Sequence, residues 1–296
     1  MIITPTQQRY LSIVGSIFAI IGGIYVVIQL KDYSSDIDLT QISSQGWALI
    51  TFSMVVYAFI CLLLAQSWRE LLAHFGVLVS PSWVIRVYGI SQIAKYIPGN
   101  VLHLAGRQVL GMSYGLPPAV LAKSLLWELL LIAGTGGVFL FLLLPIWIPT
   151  ISSSVAILIF GFCFSIVVTI CWLFISKYFA KAVVYYGFFL ALTGLLFVAQ
   201  ISIITGNTPE GFLIPTIVAS YVAAWLAGFV TPGAPAGIGV REIVILFLLQ
   251  GTISNSELLL VILIGRIVSA GGDALYFLCS TKLPEIDNAL ISQDEN

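Results

Sequence analysis

The chain has 296 residues, a formal net charge of -1, 59% hydrophobic residues and only 8% charged ones, and its mean hydropathy is +1.07. Soluble domains carry about 25% charged residues, so the charge here is too sparse to cover a water-facing surface, and a soluble globule is excluded. Near-neutrality, with a pI of about 6.1, also leaves no basic face for nucleic acid.

Taken in chain order, the sequence divides into apolar runs of the length a helix needs to cross a bilayer, about 20 residues. Arg9 precedes the first, at 11–30, which lacks a small-residue cleavage site and reads as a retained span. A polar stretch at 31–46 leads to the second span, 47–66. Residues 82–118 are apolar but interrupted by proline, glycine and charge. Three spans follow at 124–148 (interrupted by Glu128), 151–175 and 182–205. A second interrupted region covers 213–250, and a last span, 257–280, contains Arg266 and Asp273. Residues 283–296 form a polar tail. The expected fold is an all-α polytopic membrane protein with six full spans and two broken segments.

Short-loop cations set orientation. Arg9, then Arg69, Arg86 and Lys95, then Lys177 and Lys181, then Lys282 fall on one side, whereas Lys31 stands alone on the other among Asp32, Asp36 and Asp38. Both termini are therefore expected in the cytoplasm, provided that each broken segment returns to the side it entered from. Trp47, Trp83, Trp147 and Tyr185-Tyr186 lie near span ends, where aromatic rings anchor at the interface.

The two halves share one plan. Each runs span, polar loop, span, broken segment, span, giving a first repeat at 1–148 and a second at 149–282. In both, an arginine lies nine residues after a Pro-Gly proline: Pro98-Gly99 with Arg107, and Pro232-Gly233 with Arg241. An odd number of crossings per half makes the second repeat inverted. Inverted repeats with interrupted helices are a construction of secondary transporters, with the substrate site at the repeat interface.

Proline removes a backbone donor and glycine accepts reversal dihedrals. Pro98, Gly99, Pro232, Gly233, Pro235, Gly237 and Gly239 are thus the candidate hinge residues. Non-helical backbone at membrane depth survives only inside protein or beside a wet cavity. Each broken segment reads as a re-entrant helical hairpin whose second arm aims free N–H groups at an anion. The other reading is a kinked pair of full crossings, which would make eight spans.

Lys95-Tyr96-Ile97-Pro98-Gly99 in the first half, with Pro232-Gly233 and Gly237-Ile238-Gly239-Val240-Arg241-Glu242 in the second, resembles the lysylphosphatidylglycerol synthase transmembrane family. The family includes the flippase domain of multiple-peptide-resistance proteins and stand-alone members encoded with glycolipid or envelope-glycan enzymes. The resemblance spans most of the chain, with diagnostic residues at 95–107 and 231–242, although the family's Pro-Gly-Gly-x-Gly-x-x-Glu pattern is expanded here. It implies lipid translocation in a bacterial or archaeal cytoplasmic membrane, with envelope glycan or glycolipid enzymes as partners. Lipid lysylation does not carry over, because the soluble aminoacyl-transfer domain is missing from this sequence.

Seven ionisable residues lie in or beside apolar segments: Arg107, Lys123, Glu128, Arg241, Glu242, Arg266 and Asp273. Each costs about 3 kcal/mol at a helix centre and so needs protein, water or a partner. Lys123 can snorkel to the interface. Arg266 and Asp273, seven apart, share a helical face. One reading pairs the three arginines with the three acids to hold the bundle together. The other makes Arg107, Arg241 and Arg266 binders of a phosphate, which guanidinium meets with two parallel hydrogen bonds. His103 and Asn100 would then add headgroup contacts, with Glu128, Glu242 and Asp273 as compensating or coupling acids.

Cys61, Cys163, Cys171 and Cys279 sit within apolar runs without a CxxC, and only His74 and His103 are present. No metal, cofactor or catalytic residue is expected. The function this points to is a flippase for an anionic, phosphate-bearing lipid, either a phospholipid or a polyprenyl-phosphate-linked sugar. The alternatives are a secondary transporter of a small soluble anion and, behind it, a membrane-embedded lipid-modifying enzyme.

Overall fold

The computed structural model describes residues 43–96, 102–231 and 239–283. The expected first span at 11–30, the breaks themselves (Pro98, Gly99, Asn100, Pro232, Gly233, Pro235, Gly237) and nearly all of the tail at 283–296 lie outside the described residues.

Nine helices account for most of what is described. They are α1 (Ser44–His74), α2 (Pro81–Gln92), α3 (Leu102–Ser113), α4 (Pro118–Phe139), α5 (Ser153–Ile170), α6 (Lys177–Thr205), α7 (Ile214–Val230), α8 (Val240–Leu248) and α9 (Asn255–Thr281). α2 ends in a 3-10 turn, Ile93–Tyr96. α4 continues through a 3-10 turn at Leu140–Leu143 to Trp147, and α5 closes in a π-turn over Cys171–Ile175.

Local chemistry starts each helix. Serines cap α1, α2, α5, α6 and α9: Ser43, Ser80, Ser152, Ser176 and Ser254 each accept a hydrogen bond from a backbone N–H of the first turn. Proline at the first position of α2 and α4 needs no donor there. α6 stops at Gly206, whose φ of 72° a side chain would resist.

Five helices are long and apolar enough to cross a membrane: Ser44–His74, Pro118–Trp147, Ser153–Ile175, Lys177–Thr205 and Glu257–Thr281. They correspond to the runs expected at 47–66, 124–148, 151–175, 182–205 and 257–280. The chain is a helical membrane protein. The second span is longer than expected at both ends, because Ser43 caps it early and charged Arg69 and Glu70 are carried within the helix. The outer surface suits lipid: Phe162 on α5 and Trp172 and Phe174 in the π-turn that closes it are 69%, 65% and 80% exposed, a burden in water but not against lipid tails.

The two interrupted regions fold differently from the spans. α2 and α3 have 12 residues each, about 18 Å at 1.5 Å per residue. α7 has 17 residues and α8 has nine. α1 lies between α6 and α9, with α2 against α1 and α9, and α7 against α6 and α8. Gly271 and Gly272 let α9 approach α1 closely: a Cβ at Gly272 would meet the Met54 carbonyl oxygen at 2.8 Å and Tyr57 at 2.7 Å. That approach sets the adjacent Asp273 into the interior.

Candidate functional site

Described residues on both sides of each break line one cavity of about 480 Å³. Lys95 and Tyr96 reach it from before the first break and His103 and Leu104 from after it. Val230 and Thr231 do so from before the second, Arg241 from after it. The remaining wall comes from Tyr57 and Leu64 (α1), Tyr88 and Gln92 (α2), Glu128, Leu129 and Ile132 (α4), Phe189 (α6), Trp225 and Phe229 (α7), and Arg266 and Ser269 (α9). The wall is mixed, with aromatic surface interleaved with cationic and hydroxyl groups. Apolar pockets with a few convergent polar groups are the usual form of a ligand site.

Three ion pairs surround this cavity, one of them fully buried and two partly so. Arg107 donates from both terminal nitrogens to Glu128, at 3.0 Å and 2.5 Å, and the Tyr88 hydroxyl donates to the same carboxylate at 3.0 Å. The guanidinium also lies over the Tyr88 and Trp68 rings, 4.4 Å and 5.0 Å from their centroids. At 2% exposure, Arg107 is a packed element of the bundle and does not line the cavity. Lys95 meets Asp273 at 2.6 Å, and the Tyr96 hydroxyl donates to that carboxylate at 2.5 Å. The Cys61 thiol lies 3.8 Å from its other oxygen. Arg266 donates from Nε and a terminal nitrogen to Glu242, at 2.8 Å and 2.6 Å. α9 therefore holds both interrupted regions: Asp273 grips the end of α2's 3-10 turn, and Arg266 grips the first turn of α8.

Arg241 differs from its sequence counterpart. It has no carboxylate partner among the described residues. Its guanidinium lies 5.7 Å from the Trp225 ring centroid, and its Nε is buried without a hydrogen bond. Trp225 in turn stacks on Phe229, with centroids 5.1 Å apart. Gly239, at φ 85°, precedes α8 and turns the chain so that Arg241 opens its first turn. The N-terminal end of a helix carries partial positive charge, which adds to that of the side chain.

The expected residues are thus divided by the structure. Arg241, Arg266, His103 and Glu128 line the cavity, Glu242 and Asp273 stand behind it as partners, and Arg107 is withdrawn. His103 Nδ1 is buried without a hydrogen bond among the described residues. Lys123 is exposed. Two corrections follow. Asp273 pairs with a lysine rather than an arginine. Lys95, read from sequence as a loop cation fixing orientation, is mostly buried on that carboxylate, at 16% side-chain exposure. Its signal lay in the Lys-Tyr-Ile-Pro-Gly run itself, whose charge directly precedes a break. Tyr96 belongs to the same run, whereas Gln92, Thr231 and Ser269 carried no comparable signal, since isolated polar residues in apolar runs are common. No family model matches this chain, and no curated protein matches it.

Proposed function

We propose that the protein moves an anionic, phosphate-bearing lipid across the cytoplasmic membrane, holding the headgroup in the central cavity while the tails stay in lipid. The observation that carries this reading is Arg241: a guanidinium without a carboxylate among the described residues, at a helix start, on a cavity that both interrupted regions border. A half-buried cation without a counter-charge is disfavoured and is relieved by a phosphate, whose oxygens accept its parallel N–H donors.

The repeated order of helix lengths supports a transport cycle. α1, α2, α3 and α4 (31, 12, 12 and 22 residues) are followed by α6, α7, α8 and α9 (29, 17, 9 and 27 residues). In an inverted arrangement, with 82–118 and 213–250 as re-entrant hairpins, one half rocking on the other exposes the cavity to each side in turn. The resemblance carried by the Lys-Tyr-Ile-Pro-Gly run points the same way.

The test is reconstitution. Tail-labelled anionic phospholipid and polyprenyl phosphate, placed in vesicles with the purified protein, are expected to exchange leaflets faster than in empty vesicles. Arg241→Gln should slow this by roughly tenfold, the loss of a charge-assisted hydrogen bond. No acceleration of either lipid, or an uptake of soluble phosphate without lipid movement, would overturn the reading.

A further inference from the structure

The charges at the cavity balance in pairs, save one. Glu128 is taken by Arg107, Asp273 by Lys95 and Glu242 by Arg266. Arg241 is the cation left over among the described residues. The two stretches between the described arms, Ile-Pro-Gly-Asn-Val at 97–101 and Pro-Gly-Ala-Pro-Ala-Gly-Ile at 232–238, contain no ionisable side chain. Among the described residues the cavity wall thus carries a single positive charge in excess, inside a medium that penalises any uncompensated charge.

We infer that the site selects a headgroup with one net negative charge, a phosphodiester whose remaining part is uncharged and hydroxyl-bearing, over diphosphates and over zwitterionic phospholipids. This rests on the transport reading above and narrows its substrate. A diphosphate brings at least one further charge, and meeting it requires Lys95 to leave the buried Asp273 carboxylate or Arg266 to leave Glu242. A zwitterion brings an ammonium, and each acid at the cavity already has its cation. An uncharged, hydroxylated headgroup meets neither obstacle. Thr231, Ser269 and Gln92 line the cavity as uncharged polar partners, and the Nδ1 of His103 there has no hydrogen bond of its own.

The experiment uses the full chain in neutral phosphatidylcholine vesicles, with three tail-labelled probes: phosphatidylglycerol, phosphatidylethanolamine and a prenyl diphosphate. Binding of the same three lipids, and of soluble glycerol phosphate, is read by native mass spectrometry. Phosphatidylglycerol is expected to bind and cross roughly tenfold better than the other two, again the scale of one charge-assisted contact. Arg241→Gln should erase the preference, and Arg241→Lys should retain it. Equal movement of all three lipids by the unaltered protein, or faster movement of the diphosphate, would sink the headgroup inference and leave lipid transport standing. Selective retention of phosphatidylglycerol without movement would do the reverse. Binding of glycerol phosphate with no lipid retained would overturn both, assigning the cavity to a soluble anion.

Discussion

Arg107 and Arg241 stand in the same relation to a Pro-Gly pair, yet their surroundings assign them opposite tasks. Arg107 is enclosed by Glu128, Tyr88 and Trp68, with its charge spent on the bundle. Arg241 lies beside the Trp225 ring and has no carboxylate partner among the described residues. Removing one member of a buried pair strands the other, at a cost of about 3–5 kcal/mol. Arg107→Leu should therefore lower the apparent melting temperature in detergent, and the double replacement Arg107→Leu with Glu128→Leu should recover much of the loss. Arg241→Gln should leave that temperature nearly unchanged or raise it, since it removes a half-buried charge without a carboxylate among the described residues. Equal destabilisation by Arg107→Leu and Arg241→Gln would contradict the division drawn between them. The sequence named both arginines and all three acids, but it could not say which would pair. Pairing depends on which helices become neighbours, and residues 107 and 128 meet only because α3 and α4 fold back on each other.

At the scale of elements, α9 joins the two interrupted regions through two charges seven residues apart. Arg266 holds Glu242 on α8, and Asp273 holds Lys95 beyond α2. Its seat on α1 depends on Gly271 and Gly272, where a side chain has no room. Gly272→Leu should push α9 away from α1 and separate Asp273 from Cys61 and Lys95, costing about 1–3 kcal/mol by overpacking, as read from thermal unfolding. Asp273→Asn leaves the packing intact but strands the Lys95 ammonium. It should weaken headgroup binding less than Arg241→Gln does, as measured by lipid retained after purification, because Asp273 stands behind the cavity wall. The spans themselves were legible as uncharged runs, and their ends moved only where a serine cap or an internal charge extended a helix. The 3-10 turn that carries Lys95 inward was not legible, because a charge flanking a span reads alike whether it faces water or a buried carboxylate.

For the whole molecule, the decisive question is how the two interrupted regions sit in the bilayer. Helices of about 18 Å such as α2 and α3 fall short of the roughly 30 Å hydrocarbon core, which is the physical basis for treating 82–118 as a hairpin that returns to its own side. Pro81→Cys and Pro117→Cys, in a background with the four native cysteines replaced, should both label from the cytoplasmic face. Labelling from opposite faces would establish full crossings instead. Composition alone determined the solvent: with 8% charge, the chain has no means of covering itself against water and must lie in lipid. It also located the polar exceptions, since an ionisable residue in an apolar run is visible without coordinates. Only the tertiary structure decided what those exceptions do. Burial makes each charge seek a partner, but geometry chooses it, and among the described residues three acids for four cations around one cavity leave Arg241 without one. That surplus is a property of the assembled helices, and no local stretch of sequence contains it.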